Sequence, residues 1–79
     1  MNVRVIDLHG YTVQKATAAV LNALFEFNND DYTRSLEIIT GNGTGSLKLL
    51  VADILDKEGY YWKYNNSQQS SIIVLKNKF

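Results

Sequence analysis

Two short segments of the 79-residue chain carry residue types that could do chemistry. The first is D-L-H-G at positions 7–10, which contains the single histidine of the protein. The second is T-G-N-G-T-G-S at positions 40–46, in which glycines alternate with polar residues. A carboxylate two residues from an imidazole can bind one ring nitrogen and fix the tautomer, an arrangement suited to general acid–base work. A glycine-rich turn that leads into a helix exposes backbone N–H groups at the positive end of the helix, and suits an anion such as phosphate. Plainer duties are open to the same residues. Asp7 could accept from backbone N–H groups of the second loop, His9 could cap its own turn, and residues 41–45 could be a tight connection needing positive φ.

The elements that must position these segments can be read from the spacing of apolar residues. Residues 3–8 read as a strand, in which period-two geometry puts Asp7 and His9 on one side and Leu8 on the other. From Val13 the apolar positions 13, 16, 20, 24 and 27, with Leu21 and Phe25 beside them, fall at helical spacings of three and four. Thr12 is placed to accept from an exposed N–H of the first turn. After the polar N-N-D-D at 28–31, residues 35–40 read as a second strand. A second helix begins at Ser46, with apolar positions 47, 50, 51, 54 and 55 and a terminating Gly59. The aromatic Y-Y-W-K-Y at 60–64 and the apolar residues 71–76 read as an antiparallel hairpin across the polar stretch 65–71.

The expected order is therefore β-α-β-α-β-β, an α/β chain folded as an α+β two-layer sandwich. Its mixed four-stranded sheet carries two helices on one face, because 79 residues are too few for three layers. Two βαβ crossovers imply right-handed connections and parallel strands. In such sheets ligands bind beyond the carboxyl ends of the parallel strands, which is where both segments stand if the first two strands are neighbours. The anion site would then comprise Gly10, Thr40, Gly41, Asn42, Gly43, Thr44, Gly45 and Ser46, with Lys48 in the first turn of the second helix.

Composition narrows the classes. Eight basic and eight acidic side chains give a formal net charge of zero, so an isolated domain is expected to hold nucleic acid only through a local patch. With no cysteine there is no disulfide or thiolate metal site, and no window is apolar enough to span a membrane or to form a signal peptide, so the expected location is cytoplasmic. There is no G-K-[ST] of a phosphate-binding P-loop, and the glycine spacing is not that of a dinucleotide fold. One histidine with scattered carboxylates makes no transition-metal cluster. No tightly bound cofactor is expected, and Asp7 is the position for a weakly held Mg²⁺ or Mn²⁺ if a divalent ion is used. The Y-Y-W-K-Y segment resembles a base-stacking surface, although alternation along a strand buries about half of such rings.

The segments I-D-L-H-G-Y-T-V-Q-K-A and I-T-G-N-G-T-G-S-L-K, followed by the final I-I-V-L-K strand, resemble the Smr (small MutS-related) domain across essentially the whole chain, from Val5 to Lys76. That resemblance implies a fold similar to the C-terminal domain of translation initiation factor three. It also implies DNA or RNA binding and, in many members, endonuclease activity: DNA nicking or RNA cleavage. Such domains occur alone or at the C-terminus of bacterial MutS-like ATPases linked to recombination and repair control and to rescue of collided ribosomes. Residues 1–79 read as one such domain, which could be cut from a larger protein whose ATPase region would be its partner. Carried over position by position, Asp7 and His9 match the first motif, and Gly41, Gly43 and Gly45 match the loop. Thr40 stands where many members have histidine and Asn42 where lysine or arginine is usual, which weakens the expectation of cleavage more than that of binding. The competing expectation is a non-catalytic module that docks branched DNA or the ribosome. A third is a protein-interaction module using the aromatic strand 60–64.

Overall fold

The computed structural model describes residues 3–42, 45–65, 67 and 69–78, with Asn77 and Lys78 described by their backbone alone. Six elements follow one another: β1 (Val3–Asp7), α1 (Val13–Asn29), β2 (Ser35–Ile39), α2 (Ser46–Lys57), β3 (Tyr60–Tyr64) and β4 (Ser71–Lys78). Alternation builds the sheet. On β2, Leu36 and Ile38 are fully buried while Ser35, Glu37 and Ile39 face the other way, and on β4 the buried pair is Ile72 and Val74. These four side chains meet Ala16, Val20, Leu24 and Phe27 of α1 and Val51 and Leu55 of α2, so both helices cover one face of the sheet. Removing each large apolar side chain from water contributes about 1.5–3 kcal/mol, and this shared layer holds the two helices on the sheet.

The spatial strand order is β1-β2-β4-β3. The first crossover behaves as expected: β1 and β2 pair in parallel, with Asp7 opposite Ile39. The second is split. β4 inserts between β2 and β3 and is antiparallel to both, so β2 and β3 share a direction without touching. The hairpin explains this. The strongly apolar β4 takes the central position, while β3 can stand at the edge because its aromatics need cover on one side only. Tyr60 is buried, Trp62 and Tyr64 are half-buried beneath α2, and Tyr61 and Lys63 point to the open face. Trp62 also donates its Nε1–H to the Asp56 carboxylate at 2.9 Å and meets Tyr64 edge-on. Most of these rings are therefore committed to packing, and a stacking surface on this strand does not form.

Two local expectations shift. The apolar stripe of α1 runs through Ala16, Val20, Ala23, Leu24 and Phe27, whereas Val13 is 53% and Phe25 70% exposed. Val13 sits on the first turn, ahead of the part of α1 that overlies the sheet core. The strands that lead into the two loops each end one residue early, at Asp7 and Ile39, although Leu8 still donates its N–H to the Ile39 carbonyl at 2.8 Å.

One long-range contact closes the far end of α1. Lys76 of β4 points to the helical side, stacks its ammonium over the Phe27 ring, and donates to the carbonyl oxygens of Phe27 and Asp30. α1 has no basic residue in its own last turn, so this lysine supplies the charge that complements the negative end of the helix. Lys76→Met, which keeps the aliphatic stem, is expected to lower stability by about 1–2 kcal/mol, read as a shift of the urea midpoint with unchanged slope.

Candidate functional site

Parallel pairing of β1 and β2 delivers both motif loops to one edge. Leu8, 1% exposed, locks the end of β1 into the core, which turns Asp7 and His9 outward together. Gly10 completes the turn, which closes when the Tyr11 N–H donates to the Leu8 carbonyl at 2.9 Å. Asp7 Oδ1 accepts twice from His9, from its backbone N–H at 3.0 Å and from ring Nδ1 at 2.8 Å. Both contacts favour the ionised carboxylate and hold Asp7 below the usual carboxylate pKa, with the ring contact the larger influence. With Nδ1–H given to Asp7, Nε2 is the nitrogen left to act on a ligand. The His9 side chain is 75% exposed, so it can be reached.

The second loop comes close enough to touch. Gly41 has φ +77°, and a Cβ placed there would lie 3.3 Å from the His9 Cβ. The left-handed backbone favours glycine, and any larger residue would also press His9 back by a few tenths of an ångström. The loop is tied down by the Ser70 carbonyl, which accepts from the Thr40 N–H at 2.9 Å, the Gly41 N–H at 3.0 Å and the Thr40 hydroxyl at 3.2 Å. Thr40 is thus buried and engaged with the chain itself, whereas Asn42 is exposed. Gly43 and Thr44 lie outside the described residues. Gly45, at φ +88°, is the N-cap of α2 and makes no side-chain cap. α1 differs, because Thr12 Oγ1 accepts there from the Lys15 N–H at 3.1 Å.

Between the loops lies a cleft of about 600 Å³, lined by His9, Gly10, Thr40, Gly41, Asn42, Gly45, Ser46 and Lys48. It is also lined by Tyr11, Val13, Leu47 and Ser70, which sequence reasoning did not assign to the site. The electrostatics are polarised. Neither helix carries an acid in its first turn, although acids there would stabilise it. Instead Lys15 and Lys48 each stand at the third position of their helix, where a capping box would place Glu. Six of the eight carboxylates, Glu26, Asp30, Asp31, Asp53, Asp56 and Glu58, lie in or beyond the later turns of the two helices. Lysine where glutamate is favoured was the signal in the sequence that could have pointed to Lys15.

A divalent ion such as Mg²⁺ or Mn²⁺ would find a single carboxylate here, and one of its oxygens already accepts two hydrogen bonds from His9. Among the described residues no three His, Asp or Glu side chains gather into a metal-binding group. The donor set of this cleft does not amount to a resident metal site. Nor is any helix long and apolar enough to cross a membrane among the described residues.

The family model for the Smr domain matches residues 6–71. Among solved structures, the crystal structure of the Smr domain of Thermus thermophilus MutS2 superposes with a TM-score of 0.82 at 23% identity, covering 91% of this chain and 95% of that one. The solution structure of the SMR domain of NEDD4-binding protein 2 gives a TM-score of 0.75 at 22% identity, covering 100% of this chain and 91% of that one. No curated protein matches the sequence. At these identities the two structures establish the likeness of fold.

Two outcomes test the geometry. Gly41→Ala and Gly45→Ala should each cost about 1–2 kcal/mol in backbone strain, but only the former should displace the His9 ring signals in an NMR spectrum. The Asp7 carboxyl should titrate below 3.8 and move back toward that value in His9→Ala. Because its folded value is the lower one, its contribution to stability is complete above pH 3.8 and is lost as pH falls through the folded value.

Proposed function

Given that the chain belongs to the Smr domain family, whose members are nucleic-acid-binding and nuclease-like modules, we propose that it binds nucleic acid at this cleft and cleaves a phosphodiester there. The observation that carries the reading is the contact between the two motifs. An imidazole oriented by Asp7 stands against Gly41, at the mouth of a helix N-terminus without a side-chain cap. In this reading one phosphate rests on the loop at 41–45 and on the first N–H groups of α2, with Lys48 supplying charge. Lys48 makes no ion pair among the described residues, so it can be given to a ligand. Thr40 contributes by holding the loop through Ser70, and not as a donor.

The chemistry this set supports best is RNA transesterification. His9 Nε2 takes the proton of a 2′-hydroxyl as that oxygen attacks phosphorus; the bond from phosphorus to the 5′-oxygen breaks, and water protonates the leaving oxygen. The products are a 2′,3′-cyclic phosphate and a 5′-hydroxyl. Asp7 keeps Nδ1 protonated and steadies the imidazolium that forms. Hydrolysis of DNA would require an activated water, and the side chains gathered here do not provide for a metal-bound one. The domain would act in rescue of collided ribosomes or in control of recombination and repair, alone or beside an ATPase region of a longer chain.

A second reading is favoured by Asn42, exposed and uncharged where the family resemblance leads one to expect lysine or arginine. Here the cleft binds nucleic acid or the ribosome and cuts nothing. Labelled single-stranded RNA, plasmid DNA and branched DNA, each with and without EDTA, separate the two. Under the first reading RNA is cut with EDTA present, His9→Ala slows cutting by about 10²–10⁴-fold, and Asp7→Asn slows it by less. Asn42→Lys should raise the rate. Cutting that persists in His9→Ala removes the catalytic reading, and retention of substrate without cutting leaves the docking one.

A further inference from the structure

The cleft is larger and greasier than a phosphate requires. A phosphate on the loop at 41–45 uses backbone N–H groups and a cation. About 600 Å³, by contrast, is the size of a pocket that takes a small organic ligand. Part of its wall is apolar: Tyr11, Val13 and Leu47, from the starts of the two helices. Val13 continues the apolar spacing of α1, is 53% exposed, and stands beside Tyr11 and Leu47 on this wall. Tyr11 is half-buried against the core, and the Lys15 ammonium sits over its ring, 4.6 Å from the centroid, so what Tyr11 offers the cleft is not a free ring face. Together with the two aliphatic neighbours it still forms an apolar surface for a flat, uncharged group attached to a phosphate chain.

We propose that this wall is a nucleobase subsite, and that the nucleotide engaged at the cleft is unstacked, with its base against Tyr11, Val13 and Leu47 and its phosphate on the glycine loop. The inference rests on the phosphate reading above and adds to it the form of the substrate. A base inside a duplex is stacked and paired and cannot enter a pocket without being turned out, whereas a base in a single strand, a bulge or a frayed end is available. Apolar contact of this kind is indifferent to base identity, so the subsite selects for an unpaired base more than for a sequence.

The test uses the full chain and three ligands titrated by NMR: inorganic phosphate, ribose 5-phosphate and adenosine 5′-monophosphate. The two sugar phosphates differ only in the base. Adenosine 5′-monophosphate should bind about tenfold more tightly than ribose 5-phosphate, with shifts at the Val13 and Leu47 methyl groups. Tyr11→Leu, which keeps apolar bulk for the core, and the exposed Val13→Ser should each remove most of that advantage and leave ribose 5-phosphate binding unchanged. Should Tyr11→Leu fail to fold, Val13→Ser decides alone. Equal binding of the two sugar phosphates, or an advantage that survives substitution, overturns the base subsite and leaves the phosphate reading intact. Failure of all three ligands to bind overturns both.

Discussion

The parallel register between β1 and β2 is the constraint on which the site depends. It sets Asp7 opposite Ile39, and the next residues of each strand, Leu8 and Thr40, turn into the core and hold the two loops side by side. A slip of one residue would exchange the faces, sending Leu8 to solvent and Asp7 and His9 into the apolar layer. Burying an unpaired carboxylate there would cost far more than any contact the slipped form could gain. The core that fixes the register therefore also fixes the aim of the only imidazole in the chain, and no residue of the motif has to specify its own orientation.

The same edge forgoes stabilisation that the far ends of the helices take. An acid at the start of a helix and a hydroxyl at its cap are cheap sources of stabilisation, and α2 has neither. Its cap is a left-handed glycine and its third residue a lysine, so neither supplies the negative charge that would complement the positive end of the helix. Stabilising contacts gather away from the cleft instead. Lys76 closes α1, Arg4 pairs with Glu26 at 2.5 Å, and Asp30 accepts from the Tyr32 N–H and the Thr33 hydroxyl in the turn that follows. A local rule broken at one end and kept at the other is what the proposed anion site would require.

Much of this was legible in the residue string. Alternation and helical spacing dictated the six elements, and the strand-to-helix turns at 7–10 and 40–46 could be placed on one edge because a parallel pair joined by a crossover leaves no other choice. The insertion of β4 was not legible, since the choice between a β2–β3 and a β2–β4 neighbour depends on which strand of the hairpin packs more apolar surface beside β2. The duty of Thr40 was hidden for a related reason. Its hydroxyl looked like a donor to a ligand, and its acceptor, the Ser70 carbonyl, is thirty residues away in a stretch without pattern. Val13 read as the start of a core stripe and Tyr11 was given no duty; only the position of α1 over the sheet shows that the first turn overhangs the cleft. Lys76 read only as the last residue of the final strand, because its partners belong to another element.

The placement of the carboxylates along the helices has a consequence beyond the cleft. α1 and α2 are about 25 and 18 Å long by their 17 and 12 residues, and along their axes Glu26 stands about 16 Å from Lys15 and Asp56 about 12 Å from Lys48. A body with equal numbers of positive and negative groups exerts little pull on a polyanion from afar. Arg4, Lys57 and Lys76 stand among those acids and offset part of their charge, so the separation leaves a weak dipole with its positive end toward the cleft. Within about 8–10 Å of a phosphate backbone, the range over which charges are felt at physiological salt, such a dipole favours a cleft-first approach. Under the proposed function, a neutral domain would then let go of a strand presented the wrong way round more readily than one that is basic on all sides.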